Sequence, residues 1–436
     1  MGSKASKHTI SGLHQMQGMS LNDKIRMTKR RIAEWVDEYG EDGVYVSFSG
    51  GKDSTVLLTL ARQIYPNMKA VFVDTGLEYP EIRQFVKTWD NVDWVKPKMT
   101  FKEVIEKYGY PFISKEVAEC VYGARKYLTS ILQEMERPDR QTDRQTDRQT
   151  DRQTDRVPYR YWFERVTGTG EYAKPRNDVG GVQTISTVNS EELRNIIESR
   201  PKGEGQRLRL ARMMGMLTED GQIKANVPSK DRSMFSQVRY QFFLEAPFEI
   251  SQRCCSVMKK EPAHRYARQT GRKPMTAQMA SESRLRTQQW IRNGCNGFHL
   301  GNPISNPMSF WTEQDVLLYL WQNKIPIASV YGDIVIDYDA TGDIEGQLSF
   351  RDLFGELELF DLDRPVLKTT GCSRTGCMFC GFGCHLEKPG EGRFERMKVT
   401  HPKQYDYIMR PKGQGGLNYK EVIDWINEHG NMNIRY

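Results

Sequence analysis

The chain has no apolar run approaching the ~18 residues that a membrane-spanning helix needs, so a spanning helix is excluded as its organising element. No secretory apolar stretch follows the N-terminus, which makes the cytoplasm the expected compartment. Met1-Gly2-Ser3-Lys4-Ala5-Ser6 fits the short pattern for N-terminal myristoylation, but an ordinary polar terminus is the expectation. With no secretory signal, the eight cysteines are expected as metal ligands or redox thiols rather than disulfides. Histidine is scarce, seven in 436 residues, and His264, His299 and His401 stand alone, as satisfied surface or core histidines do.

What is present fits a globular chain of more than one domain: 38% hydrophobic and 27% charged residues over a length that exceeds one typical domain. The net charge of +7 is concentrated. Between residues 251 and 300, ten Lys or Arg stand against Glu261 and Glu282 alone, and such a block next to a phosphate site would gather an anionic substrate.

Hydrophobic periodicity divides the chain. Helical spacing over Leu21–Tyr39 gives way to a strand pattern over 44–48, a glycine turn and an apolar helix over 54–64. A strand over 70–74, a helix over 80–89, a strand over 92–95 and a helix over 101–107 follow. Alternation of this kind predicts an α/β domain, a parallel sheet with helices on both faces, whose ligand sits at the carboxyl ends of the strands. Residues 1–134 are read as the first half of this domain and 251–332 as its second half. Residues 135–250 form a polar insertion with Gly-rich turns at 168–170 and 180–181 and some helix over 191–198, and 333–436 a C-terminal cysteine-rich module. Helical spacing returns over 311–321, and 334–360 alternates as hairpins do.

Residues 139–156 repeat Asp-Arg-Gln-Thr, a charge-balanced segment with nothing to bury, for which disorder or a solvated helix is expected. The codons GAC-AGA-CAG-ACA spell this unit and are also a run of GACA, open in all reading frames. Slippage in such a tract would switch the downstream sequence on and off.

The chemistry concentrates at Ser49-Gly50-Gly51-Lys52-Asp53-Ser54, between a strand and a helix. Glycines let the backbone approach phosphate oxygens, the helix N-terminus offers unpaired N–H groups, and Lys52 adds a positive charge. The Walker A spacing is absent: Val46 stands where its first glycine would be and Asp53 follows the lysine.

With this loop the sequence resembles the PP-loop ATP pyrophosphatase superfamily, of adenine nucleotide alpha hydrolase-like fold, and within it the phosphoadenosine phosphosulfate (PAPS) reductase-like family. Val73-Asp74-Thr75-Gly76-Leu77-Glu78-Tyr79-Pro80-Glu81 is similar to the family's Asp-Thr-Gly loop, and Cys254-Cys255-Ser256-Val257-Met258-Lys259-Lys260-Glu261-Pro262 to its paired-cysteine segment. Ala280-Ser281-Glu282-Ser283-Arg284-Leu285-Arg286 is similar to its Glu-Ser-x-x-Arg element. Trp311-Thr312-Glu313-Gln314-Asp315-Val316, Ile325-Pro326 and Val330-Tyr331 resemble its later helix and turn. The likeness covers about residues 20–120 and 250–385. Two departures stand out: Ala277 replaces a common glycine, and Lys52 is kept where reductases of PAPS tend to have lost it.

The resemblance implies a nucleotide held by Ser47, Ser49, Gly50, Gly51, Lys52, Asp53, Ser54, Asp74, Thr75, Gly76, Lys259, Glu282 and Arg284. Lys52 favours ATP over PAPS, with attack at the α-phosphate, release of pyrophosphate and Mg²⁺ shared by the phosphates; Asp53 or Asp74 would orient the metal. The expected enzyme is a sulfurtransferase-like ATP pyrophosphatase, whose partners would be a nucleic-acid or small-molecule sulfur acceptor and a sulfur-donor protein. The alternatives are a PAPS or adenosine phosphosulfate reductase forming sulfite, and a nucleotide-responsive regulatory or nucleic-acid-binding protein without turnover.

Cys254, Cys255, Cys377 and Cys380 match the set that ligates a [4Fe–4S] cluster in adenosine phosphosulfate reductases of the family. Thiolates suit zinc as well, and Cys372, Cys377, Cys380 and Cys384 could close a local Zn²⁺ site. Cys384, beside His385, is then either a sulfur-carrying catalytic thiol or a structural cysteine. Cys120 and Cys295 are expected as buried small hydrophobes.

Overall fold

The computed structural model describes residues 8–135, 191–199, 205–337 and 365–436. The N-terminal Gly-Ser pattern, the Asp-Arg-Gln-Thr repeat, the turns at 168–170 and 180–181 and the hairpins expected between 338 and 360 lie outside them. The strands, in chain order, are β1 (Val44–Ser47), β2 (Ala70–Val73), β3 (Val92–Val95), β4 (Phe112–Ile113), β5 (Lys273–Met275), β6 (Asn296–Gly297), β7 (Ile304–Ser305), β8 (Ile334–Ile336), β9 (Leu367–Thr369) and β10 (Gly381–Phe382). The chain forms two compact units. One comprises Met1–Phe101 with Ser256–Met378, the other Lys102–Cys255 with Phe379–Tyr436.

The first unit is built on a six-stranded sheet of order β3-β2-β1-β5-β7-β6. It is parallel except for the antiparallel edge pair β6 and β7. Strand alternation sends Val44 and Val46 to one face and Tyr45 to the other. The first face, with Ala70 and Phe72, lies in the main core with Ile32 and Trp35 of helix Leu21–Tyr39 and Leu57 and Leu60 of helix Lys52–Ile64. On the opposite face Tyr45 and Val71 meet Tyr266 of helix Glu261–Thr270. Helices therefore cover both faces, the α/β arrangement that the alternating pattern predicts.

Two helix starts differ from the periodicity, for capping reasons. Gly51 is extended and its carbonyl accepts the Thr55 N–H at 3.0 Å, so the helix begins at Lys52 and takes Lys52 and Asp53 into its first turn. Thr312 caps the later helix in a reciprocal box with Asp315, and that helix begins at Glu313. A buried ion pair, Lys24 Nζ to Asp315 Oδ2 at 2.6 Å, ties it to helix Leu21–Tyr39.

The second unit divides the chain differently from the four segments read from sequence. Helix Lys115–Met135 packs its buried Ala118, Val121, Ala124 and Leu128 with helix Gly205–Met213, so it belongs here and not with the parallel sheet. β4 pairs in parallel with β10, and Tyr110, Phe112, Phe394 and Tyr419 form an aromatic core around that pair. Helices Arg393–Thr400, Pro402–Met409 and Tyr419–Gly430 complete it.

Candidate active site

From β1 the chain moves outward to β2 and β3, then returns to place β5 on the other side of β1. That reversal opens a crevice at the carboxyl ends of β1 and β5, the place where doubly wound sheets bind ligands. The loop after β1 carries the glycine pair. Gly50 has φ of 70°, and a Cβ there would meet Ile82 and Val86 within 2.9 Å, so only glycine fits. Ser49 and Ser54 close the loop, their hydroxyls 3.1 Å apart, while the Gly51 N–H donates to Ser49 Oγ at 3.3 Å.

Lys52 is buried, with its Nζ 3.2 Å from Glu313 Oε1 and 5.4 Å from the centre of the Tyr331 ring. Glu313 also pairs with Arg374 at 3.5 Å. Asp53 lies among these charges and beside Arg286. Burial raises its carboxyl above the ordinary value and Glu313 pushes the same way, while Lys52, Arg374 and Arg286 oppose. Burial lowers the Arg286 guanidinium, with Asp53 opposing. Tyr331, pushed up to about 12 by burial, shares a 2.5 Å hydrogen bond with Thr375.

The loop after β2 is held by Glu78, which accepts from the Thr75 N–H at 3.0 Å and the Thr75 hydroxyl at 2.6 Å. Gly76 turns it with φ of 75°. Asp74 is buried; Arg83 donates to its Oδ2 at 2.9 Å, while Oδ1 has no hydrogen-bond partner. Between the two loops is a cavity of about 180 Å³, lined by Ser47, Ser49, Phe72, Glu78, Lys259 and Thr375 among others. Of the expected nucleotide residues, Arg284 is exposed and Glu282 is engaged internally, pairing with Arg286 and accepting the Met279 N–H at 3.0 Å. Sequence reasoning gave no role to Arg286, Glu313, Tyr331, Arg374 or Thr375. The Thr312 to Asp315 capping box signals that Glu313 opens a helix, but nothing local signals that it meets Lys52, 261 residues away in the chain.

No disulfide links the eight cysteines. Cys254, Cys255, Cys380 and Cys384 fall in the second unit, and Cys372 and Cys377 in the first. Burial raises the Cys380 thiol, with Cys255 adding to the rise, and holds Tyr419 well above its usual value, with Cys380, Cys254 and Cys384 acting alongside. Among the described residues no group of three or more His, Cys, Asp or Glu is gathered as a metal site. Cys384 is buried, donates to the Gly381 carbonyl at 2.8 Å and is pushed up to about 12, so its thiol stays protonated. An unreactive structural cysteine has these properties. Cys120 and Cys295 are buried, as expected of small hydrophobes.

The sequence model of the phosphoadenosine phosphosulfate reductase domain matches residues 43–129 and 210–381, more than half of the chain. The chain belongs to the phosphoadenosine phosphosulfate reductase family. This is a family of sulfur-metabolism enzymes, and the loops after β1, β2 and β5 fall within the matched residues. An uncharacterized protein of Methanocaldococcus jannaschii is 33% identical over 100 residues, 20% of this chain and 24% of its own length. An adenosine 5′-phosphosulfate reductase of Staphylococcus epidermidis is 29% identical over 116 residues, 24% of this chain and 45% of its own. One of Geobacillus kaustophilus is 34% identical over 86 residues, 20% and 33% respectively. The chain thus spans less than half the length of these curated relatives. Among the described residues, no helix is long and apolar enough to cross a membrane.

Proposed function

We propose that the first unit binds ATP with its adenosine in the cavity between the β1 and β2 loops and its phosphates on the glycine loop. ATP is cleaved to AMP and pyrophosphate in the transfer of sulfur to an acceptor. The observation that carries this reading is Lys52 at the first position of a helix, desolvated and paired with a partly exposed carboxylate: Glu313 is more than a third exposed and has Arg374 as a second partner. Incoming β and γ phosphates displace that carboxylate, and Lys52 with the loop amides stabilises the charge that builds on the departing pyrophosphate. Lys259, on the cavity wall, faces the α-phosphate side.

Mg²⁺ fits this donor set, because it takes few protein ligands and completes its shell with phosphate and water. The buried, unpartnered Asp74 Oδ1 and the Asp53 carboxylate would hold it, and it would supply neutralising charge to the phosphates. The thiols fit an iron–sulfur cluster by chemistry, thiolate being its usual ligand, and Cys254, Cys255 and Cys380 share one unit. Such a cluster would supply electron transfer; zinc on Cys372, Cys377, Cys380 and Cys384 is the competing assignment.

A second reading, reduction of adenosine phosphosulfate or PAPS to sulfite, is favoured by the names of the Staphylococcus and Geobacillus relatives. It needs a nucleophilic thiol, and Cys384 is unsuited to the part. Incubation with ATP and Mg²⁺ separates the readings. Pyrophosphate release that rises with an acceptor supports sulfur transfer, whereas sulfite from adenosine phosphosulfate with a thiol, and no pyrophosphate, supports reduction.

A further inference from the structure

Tyr331 and Thr375 join the glycine loop to the cavity between the β1 and β2 loops, and the function proposed above uses neither hydroxyl. Backbone bonds bring them together across 44 residues of sequence. Tyr331 ends the turn Ser329–Tyr331, and the Gly371 N–H donates to its carbonyl at 2.8 Å while the Cys372 N–H donates to the Val330 carbonyl at 3.0 Å. Glycines permit this contact: a Cβ on Gly332 would come within 2.2 Å of Thr370, and one on Gly371 within 2.5 Å of Val330.

The Tyr331 side chain is buried, with its ring centre 5.4 Å from Lys52 Nζ. Its hydroxyl reaches the loop, where a Cβ on Gly51 would stand 3.4 Å from it. Thr375, which shares the 2.5 Å hydrogen bond with that hydroxyl, lines the cavity. Two hydroxyls joined by one hydrogen bond hold two protons and use one. The surroundings decide which proton is spare. Burial keeps the phenol protonated, and the Lys52 backbone N–H acts on its oxygen as a donor. With that oxygen accepting from Lys52, Tyr331 gives its proton to Thr375 Oγ1, and the Thr375 proton is left to donate. Among the described residues the Thr375 hydroxyl has no further hydrogen-bond partner. A donor on a cavity wall, oriented by a buried neighbour and without an acceptor of its own, is fitted to an oxygen of the ligand.

We propose that Thr375 donates its hydroxyl proton to an α-phosphate oxygen of the nucleotide, and that Tyr331 is the positioning residue that turns it there. This assignment rests on the placement proposed above, with adenosine in the cavity and phosphates on the glycine loop. Thr375 lines the first and reaches the second through Tyr331, and the α-phosphate is the group at that junction. It does not require ATP to be cleaved, because AMP carries the same group.

The test is calorimetry with AMP and with adenosine, which differ only in the α-phosphate. The wild-type protein should bind AMP more tightly. Thr375→Val keeps the shape and removes the donor, so it should lose about tenfold in AMP affinity and bind adenosine unchanged, while Thr375→Ser should restore AMP binding. Tyr331→Phe keeps the ring beside Lys52 and should also weaken AMP alone. Combined with Thr375→Val it should cost nothing more, because the phenol acts through the threonine. A melting curve checks that each variant folds. Wild-type AMP affinity in Thr375→Val, or an equal loss of adenosine and AMP in Tyr331→Phe, would overturn the assignment. Wild-type protein that binds neither ligand would sink the nucleotide placement and this assignment with it. Pyrophosphate release from ATP is measured on the same preparations; its absence beside the expected AMP results would sink the ATP reading and leave this one standing.

Discussion

Replacing Lys52 by Met removes the charge on which the ATP reading turns. The side chain is only 5% exposed, so water screens its charge weakly, and the helix start preorganises it against the loop amides. Losing one such group costs about 3 kcal/mol in the transition state, or ~100-fold in turnover. Binding of AMP should change little, because the cavity between the β1 and β2 loops is walled by Ser47, Phe72 and Lys259 rather than by Lys52. Glu313→Gln is the complementary change. Its carboxylate is 37% exposed and therefore screened, so freeing Lys52 is worth at most about 1 kcal/mol, a gain of up to about fivefold in ATP affinity. Single-turnover pyrophosphate release and calorimetry with AMP measure the two effects apart. If Lys52→Met weakens AMP binding as much as it slows turnover, Lys52 holds the loop's shape and the reasoning fails.

Asp53→Asn should abolish the Mg²⁺ response and stabilise the fold. Because burial raises the folded carboxyl's pKa, its favourable contribution is full below the unfolded value and is lost as pH rises through the folded one. The variant should therefore exceed the parent in urea midpoint at about pH 8 and match it at about pH 4; equal midpoints throughout would contradict the burial argument. Lys24→Met removes the cation from buried Asp315, at a cost of about 3–5 kcal/mol, and Lys24→Met with Asp315→Leu should recover most of it in the same titration. Anaerobic protein should contain iron that is lost on replacing Cys254, Cys255, Cys377 or Cys380 by Ser. Stoichiometric zinc without iron would move the site to Cys372, Cys377, Cys380 and Cys384. Cys384 should resist alkylation at neutral pH because its thiol is protonated and donates to Gly381; rapid labelling of folded protein would count against that state.

The parallel sheet and its loop were legible because their signals are local. Strand and helix periods alternate over short windows, Gly50 is demanded by a positive φ, and Lys52 stands two residues after it. The same locality explains the family resemblance, carried by short segments after β1, β2 and β5. What surrounds Lys52 was not legible. Glu313 and Tyr331 reach it from distant parts of the chain, Arg374 meets it only through Glu313, and which arginine of the 280–286 segment faces Asp53 depends on the helix phase that Ser283 sets as cap. Helix Lys115–Met135 has the sequence of an ordinary amphipathic helix; only packing against Gly205–Met213 assigns it to the second unit. Cys384 beside His385 reads from sequence as either a sulfur-carrying thiol or a structural cysteine, and only the fold shows that burial pushes it up to about 12 and that it donates to the Gly381 carbonyl. Sequence by itself determined the backbone turns and the charge that starts the helix, since these act within a few residues. Tertiary structure decided which charges meet and which thiols keep their protons, since desolvation and ion pairing depend on groups that only folding brings together.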